Sequence, residues 1–135
     1  MQLITSYYPV IMVADVQKVK AFFEQYLDFE VVYDSDWYVH LGMKDQGNVN
    51  LAFVRYDHGS VPASYRKASQ GVLLNFEVEN VDSEYARLKD QVDTALELKQ
   101  EDWGQKHFII EAPEGILIDI IQLIPPTEEF KNSYL

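Results

Sequence analysis

Two βαβββ modules in series, and hence one α+β domain, are what the sequence predicts. Three observations carry this. The order of apolar patterns, strand, helix and three strands, runs twice along the chain. The polar residues that open the two helical stretches, Asp15 and Asn80, lie 65 residues apart, and the turn glycines before the two last strands, Gly47 and Gly115, lie 68 apart. A period that long does not suit stacked solenoid repeats, so a closed pair of modules within one domain fits better. The length of 135 residues is that of a single compact domain, and 47% hydrophobic residues with 13% aromatics supply a core.

The first module covers residues 7–55. Its opening run "YYPVIMV" reads as a strand. Asp15 then serves as N-cap to a helix whose apolar residues Val16, Val19, Phe22, Phe23, Tyr26 and Leu27 recur at three- and four-residue spacing. Three short strands follow, "EVVYD", "WYVHLGM" and "NLAFVR"; in the second, Trp37, Val39, Leu41 and Met43 alternate with Tyr38, His40 and Gly42. The second module covers residues 71–122. It opens with "VLLNFEV", passes to Asn80 and a helix with Val81, Tyr85, Leu88 and Val92 on one face, and closes with "ALELK", "HFII" and "ILIDIIQ". Residues 56–70 form a linker with Gly, Pro and Ser, and residues 123–135 a polar tail behind a double proline that stops the last strand.

Composition excludes several classes. A formal charge of -11 excludes nucleic acid and an anionic membrane surface as partners, because phosphate binding needs a basic face. The absence of cysteine removes disulfides, thiolate nucleophiles and Cys-based zinc sites. The N-terminus lacks a basic n-region and a long apolar h-region, and no apolar run spans a bilayer, so the expected location is the cytoplasm.

The pattern "VIMVADVQKVKAFFEQYLDFEVV", and above all "EDWGQKHFIIEAPEGILIDIIQ", resembles the vicinal oxygen chelate superfamily of glyoxalases, bleomycin-resistance proteins and extradiol dioxygenases. The Trp-Gly, Phe and Pro-acid-Gly run is most similar to the bleomycin-resistance branch. The resemblance implies that each module curls its mixed sheet into a half-barrel around a concave cavity, with helices outside, and that the chain forms a homodimer. It also implies where a metal would sit: on the first and last strand of each module, here Tyr8, Leu51, Leu73 and Asp119. Only Asp119 is an ordinary ligand, whereas a catalytic divalent ion needs about three. No metal and no other cofactor is expected.

Strand alternation extends these positions to a cavity lining. Tyr8 brings Val10 and Met12 inward; Leu73 brings Asn75 and Glu77; Leu51 brings Phe53 and Arg55; Asp119 brings Leu117 and Ile121. With His40 and the loop residue Trp103 added, the ligand-binding candidates are Tyr8, His40, Phe53, Arg55, Asn75, Glu77, Trp103 and Asp119. Asp119 stands in an apolar run, where a charge is costly unless paired. Either it anchors a ligand, or it pairs with Arg55 or accepts from the Tyr8 hydroxyl inside a filled core. His40 is a pocket or a core residue, and Trp103 a stacking wall or a lid. His58 reads as a solvated loop residue and His107 as a strand-edge residue.

The resulting expectation is a protein that sequesters a planar or cationic small molecule, in the manner of antibiotic resistance. The alternatives are an enzyme and an interaction module with a filled cavity. The enzyme is either a glyoxalase-like lyase or dioxygenase with non-standard metal ligands, or a metal-free acid–base catalyst using Asp119 with Tyr8 or His40. No nucleophile–base pair is legible, so no catalytic residue is assigned.

Overall fold

A computed structural model describes all 135 residues. They form two compact units, Met1–Gln70 and Gly71–Leu135. The first contains β1 (Val10–Val13), α1 (Val16–Leu27), β2 (Phe29–Asp34), β3 (Tyr38–Met43) and β4 (Gln46–Arg55). Its sheet has the order β1-β4-β3-β2, with β1 parallel to β4 and the other pairs antiparallel. The second unit repeats this with β5 (Leu73–Glu77), α2 (Val81–Leu88), β6 (Asp93–Glu101), β7 (Gln105–Glu111) and β8 (Leu117–Leu123), in the order β5-β8-β7-β6. The fold is the α+β arrangement of βαβββ modules that the sequence predicts, with two open mixed sheets. No helix is long and apolar enough to cross a membrane.

Both helix starts follow from their caps. The Asp15 side chain accepts from the Lys18 amide and Asn80 from the Ser83 amide, each at 3.1 Å, satisfying a donor the helix cannot. In α1 the residues Val16, Val19, Phe23 and Leu27 are buried, one stripe at helical spacing. Asp28 ends α1 in the left-handed region at φ 57.

The stripe of α1 covers one face of the first sheet. Phe23 meets Phe53 at a centroid distance of 5.2 Å and Phe29 at 5.3 Å, and Val39, Leu41 and Leu51 are buried with them. In the second unit Tyr85 of α2 packs on Phe108 at 5.0 Å, and Phe108 pairs with Ile120. Ile118 and Ile120 therefore face the helix, while Leu117, Asp119 and Ile121 take the other face, as their alternation predicts.

In β4 the alternation runs opposite to expectation. Leu51 and Phe53 belong to the helix-covered core, and Ala52 and Val54 take the open face beside Val10 and Met12, their partners across β1. The cause lies in the hairpin. Its reversal is made by Lys44 and Asp45, with Asp45 at φ 60, while Gly47 already lies inside the strand. Counting from Gly47 as a turn residue thus misplaces β4 by one position. By pairing, the counterpart of Asp119, which faces Asn75 five residues before its cap, is Ala52, which faces Val10 five residues before Asp15.

Residues 124–135 are more than a plain tail. They carry a short helix, α3 (Glu128–Lys131), and clasp the loop between β6 and β7. Ile124 donates to the Gly104 carbonyl at 2.9 Å, Thr127 to that of Asp102 at 2.9 Å, and the Tyr134 hydroxyl to that of Trp103. Gly104 is required here: its φ is +110, and a Cβ would stand 2.9 Å from the Ile124 carbonyl oxygen.

Because Phe53 fills the core, Phe53→Ala is expected to lower unfolding free energy by about 3–5 kcal/mol. Chemical denaturation at constant m-value checks it; a loss below about 1 kcal/mol would return Phe53 to the open face.

Candidate functional site

The open face of the first sheet carries an aromatic hollow. Tyr38 and His40 on β3 project on the side opposite Val39 and Leu41, joined by Tyr33, which pairs with His40 from β2. Val10, Met12 and Val54 form the aliphatic floor, and Trp37, at the entry to β3, forms a wall. The opposite wall comes from the loop after β4, with Ser60, Val61, Pro62 and Tyr65. That loop is fixed by its own bonds: Val61 donates to the His58 carbonyl at 3.0 Å, Tyr65 to that of Pro62 at 2.9 Å, and Arg66 Nε to that of Val61 at 2.8 Å. Together these ten residues enclose about 570 Å³, within the usual range for small-molecule sites, and none is charged. A second hollow of about 850 Å³ adjoins it, sharing Met12 and Tyr65 and adding Ala14, Tyr56, Lys67, Ala68, Ser69 and Gln70.

Three neighbours set the chemistry of the wall. His58 lies flat on Trp37, with centroids 3.6 Å apart and planes 7° apart, so it is a packed residue and not a freely solvated one. The Ser60 amide donates to His58 Nδ1 at 3.1 Å, which makes Nδ1 an acceptor; the Ser60 hydroxyl, at 2.9 Å, donates to the same atom. Burial, then the nearby Tyr8 phenol, pushes the Tyr38 hydroxyl above the usual tyrosine range, so it stays a neutral donor. Tyr8 also lies against His40 at 4.7 Å, and His40 Nε2 donates to Asn50 Oδ1 at 3.1 Å, because the Asn50 amide nitrogen is committed to the Gly47 carbonyl.

The second unit answers the question posed by Asp119. Its partner is His107, across β7: Nδ1 lies 2.7 Å from Asp119 Oδ1, and Nε2 lies 2.9 Å from Glu101 Oε2. Asp119 and His107 are each only 5% exposed. Acids at both ring nitrogens favour a proton on each, that is, the imidazolium form. Burial opposes that charge, but the bonds and charges of Glu101 and Asp119 outweigh it and hold the ring above the usual histidine range. The bond from His107, followed by Lys99 at 3.2 Å, holds the Glu101 carboxyl below its usual range. The indole of Trp103 stands edge-on to His107 at 6.5 Å and to Phe130 of α3 at 6.4 Å, and its Nε1 donates to Gln105 at 2.9 Å.

The expected site residues take the following places within each unit. Tyr8 and His40 meet in the first unit, next to the aromatic hollow; Phe53 lies in the core behind it; Arg55 is bound to Asp57 at 2.7 Å. Asn75 and Asp119 are opposed across β5 and β8, Glu77 pairs with Ile121 one step along, and Trp103 flanks His107. Within its own unit, the bonded partner of Asp119 is His107. Reading His107 as a strand-edge residue missed the partner it does have, and Glu101, Trp37, Tyr33, Tyr38 and Tyr65 were not among the candidates.

The metal implied by the resemblance does not fit these side chains. Tyr8, Leu51 and Leu73, and Ala52 as the counterpart of Asp119, offer at most one phenol. Asp119 is committed to His107, and the two carboxylates lie at opposite nitrogens of one ring, so no single ion reaches all three groups. No cluster of three His, Cys, Asp or Glu side chains is arranged to hold a metal.

Comparison with known proteins places this geometry. The family model described as a glyoxalase-like domain matches residues 6–124. Among solved structures, a member of the glyoxalase/bleomycin resistance protein/dioxygenase superfamily from Sphaerobacter thermophilus is 20% identical, with 90% of this chain and 99% of that one covered and a TM-score of 0.71. A lactoylglutathione lyase from Agrobacterium tumefaciens is 13% identical over 90% of this chain and 96% of that one, with a TM-score of 0.70. A glyoxalase/bleomycin resistance protein/dioxygenase from Nocardioides is 14% identical over 92% and 87%, at 0.72. Likeness at these identities establishes a shared fold. No curated protein is similar enough to match the chain.

The Glu101–His107–Asp119 network makes stability depend on pH. Because the folded value of His107 is raised, its contribution is complete below about pH 6.5 and is lost as pH rises through the folded value. The urea midpoint is expected to decline on the alkaline side, and His107→Gln to lower the midpoint at neutral pH while flattening that decline. An unchanged alkaline limb in His107→Gln would assign the pH dependence to other groups.

Proposed function

Because the chain belongs to the glyoxalase-like domain family, we propose that it is a small-molecule-binding protein of that family, working without a metal and retaining its ligand instead of transforming it. The observation that carries this reading is the aromatic hollow of the first unit, with four aromatic side chains, Tyr33, Trp37, Tyr38 and Tyr65, and no charged group in its lining. Flat aromatic walls of this kind favour a planar ligand, through burial of apolar area and offset stacking. The side chains at the family's metal positions support the metal-free part, since leucine and alanine offer no lone pair. Retention without turnover is supported by the absence of a base poised at the hollow. Nδ1 of His58 is already used on Ser60.

Dimerisation belongs to the same proposal. The edge strand β2 exposes Val31, Val32 and Tyr33, and apolar edges are normally covered. Light scattering at micromolar concentration is expected to give twice the chain mass; a monomer at that concentration would count against it.

The central test uses 2-naphthol, a neutral planar probe, on protein purified without added metal. Saturable binding and a rise in Tm are expected, with both lost in Trp37→Ala and Tyr65→Ala, while elemental analysis finds no stoichiometric metal. Stoichiometric zinc, nickel, iron or manganese that disappears in Asp119→Asn would overturn the reading in favour of a metal-dependent enzyme with unusual ligands.

A further inference from the structure

The net charge conceals an uneven division. Residues 1–70 carry eight Asp and Glu against six Lys and Arg, whereas residues 71–135 carry fourteen against five. The unit that holds the aromatic hollow is therefore close to neutral, and the charges beside its hollows decide what they attract. Lys20 is bound to Asp34 at 2.8 Å and Arg55 to Asp57 at 2.7 Å, so these four cancel. Arg66 and Lys67 stand outside every ion pair. Both directly follow Tyr65, a wall residue shared by the two adjoining hollows. Arg66 spends Nε on the Val61 carbonyl, which ties its guanidinium to the rim, and Lys67 lines the second hollow with Ser69 and Gln70.

We propose that the ligand is an aryl acid: a planar aromatic body seated between Trp37 and Tyr65, with an anionic head group reaching past Tyr65 to Lys67 in the adjoining hollow. This inference rests on the small-molecule reading and names the ligand class. The body takes the uncharged lining, where an anion would lie unpaired and desolvated. The head takes the hollow whose lining includes the ammonium of Lys67, the hydroxyl of Ser69 and the amide of Gln70. The two hollows share Met12 and Tyr65 and therefore adjoin, as a ligand with a body in one and a head in the other requires. A cationic ligand fits the reverse arrangement, with a carboxylate in one of the two linings, and neither contains one.

Three probes of one shape and different charge separate these cases: 2-naphthoate, 2-naphthamide and 2-naphthamidine, titrated by calorimetry at neutral pH. Naphthoate is expected to bind about tenfold more tightly than the amide, and the amidine more weakly than either. Lys67→Gln should bring naphthoate to within about twofold of the amide and leave the amide unchanged. Trp37→Ala should weaken all three. Equal affinity of naphthoate and amide, or tightest binding by the amidine, overturns the aryl-acid assignment while leaving small-molecule binding in place. Failure of all three to bind overturns the small-molecule reading itself.

Discussion

Each sheet carries one long helix, and the two-residue pleat decides the rest. A residue on the helix side joins a packed core, while its neighbour faces the opposite way and is available for a ligand. In the first unit this constraint sends Val39, Leu41, Leu51 and Phe53 to α1, and Tyr38, Val54, Val10 and Met12 to the hollow. The same strands supply both sets, so a shift of one residue in any strand would exchange wall for core. The hollow therefore depends on the packing of Phe23 against Phe53, although neither ring touches it.

What was legible in the sequence was mostly local. Asp15 and Asn80 were readable as caps because an N-cap acts within three residues, and the strand–helix–strand order followed from periodicity alone. Register was less accessible. Gly115 takes part in a real reversal at φ +73, but Gly47 lies inside β4, and the sequence does not distinguish the two. The consequence was a wrong face for Leu51 and Phe53 and a correct one for Leu117 and Ile121. His107 was obscured for a related reason: its two partners lie 6 and 12 residues away, reached through a hairpin with register shifts and through a cross-strand neighbour. One signal was present, in that an isolated acid in the apolar run of β8 demands a cation, and His107 is the basic side chain of the adjoining strand "HFII". Trp37 and Tyr65 escaped because each lies just outside a strand, where alternation gives no direction.

The two halves have diverged at the same structural position. Asn75 faces Asp119 in the second unit, whereas Val10 faces Ala52 in the first, with both pairs at the junction of the first and last strands. A small apolar side chain there leaves room for an apolar floor. A carboxylate there requires a cation, which is the imidazolium of His107. That single ring serves two acids, and no buried side-chain nitrogen or oxygen is left without a hydrogen-bond partner.

This difference also underlies the proposal that the ligand sits on the first sheet. A guest entering beside Asp119 would have to compete with hydrogen bonds of 2.7 and 2.9 Å to a shared imidazolium, and displacing either would strand a charge of low exposure. A guest entering between Trp37 and Tyr65 displaces water from aromatic and aliphatic surface, and no bond must first be broken. Part of that wall is already ordered, because His58 is stacked on Trp37 and Arg66 Nε is bonded to the Val61 carbonyl, which lowers the cost further. On the proposed reading of this duplicated fold, the half with a satisfied ion network contributes structure, and the half with an uncharged apolar lining contributes recognition.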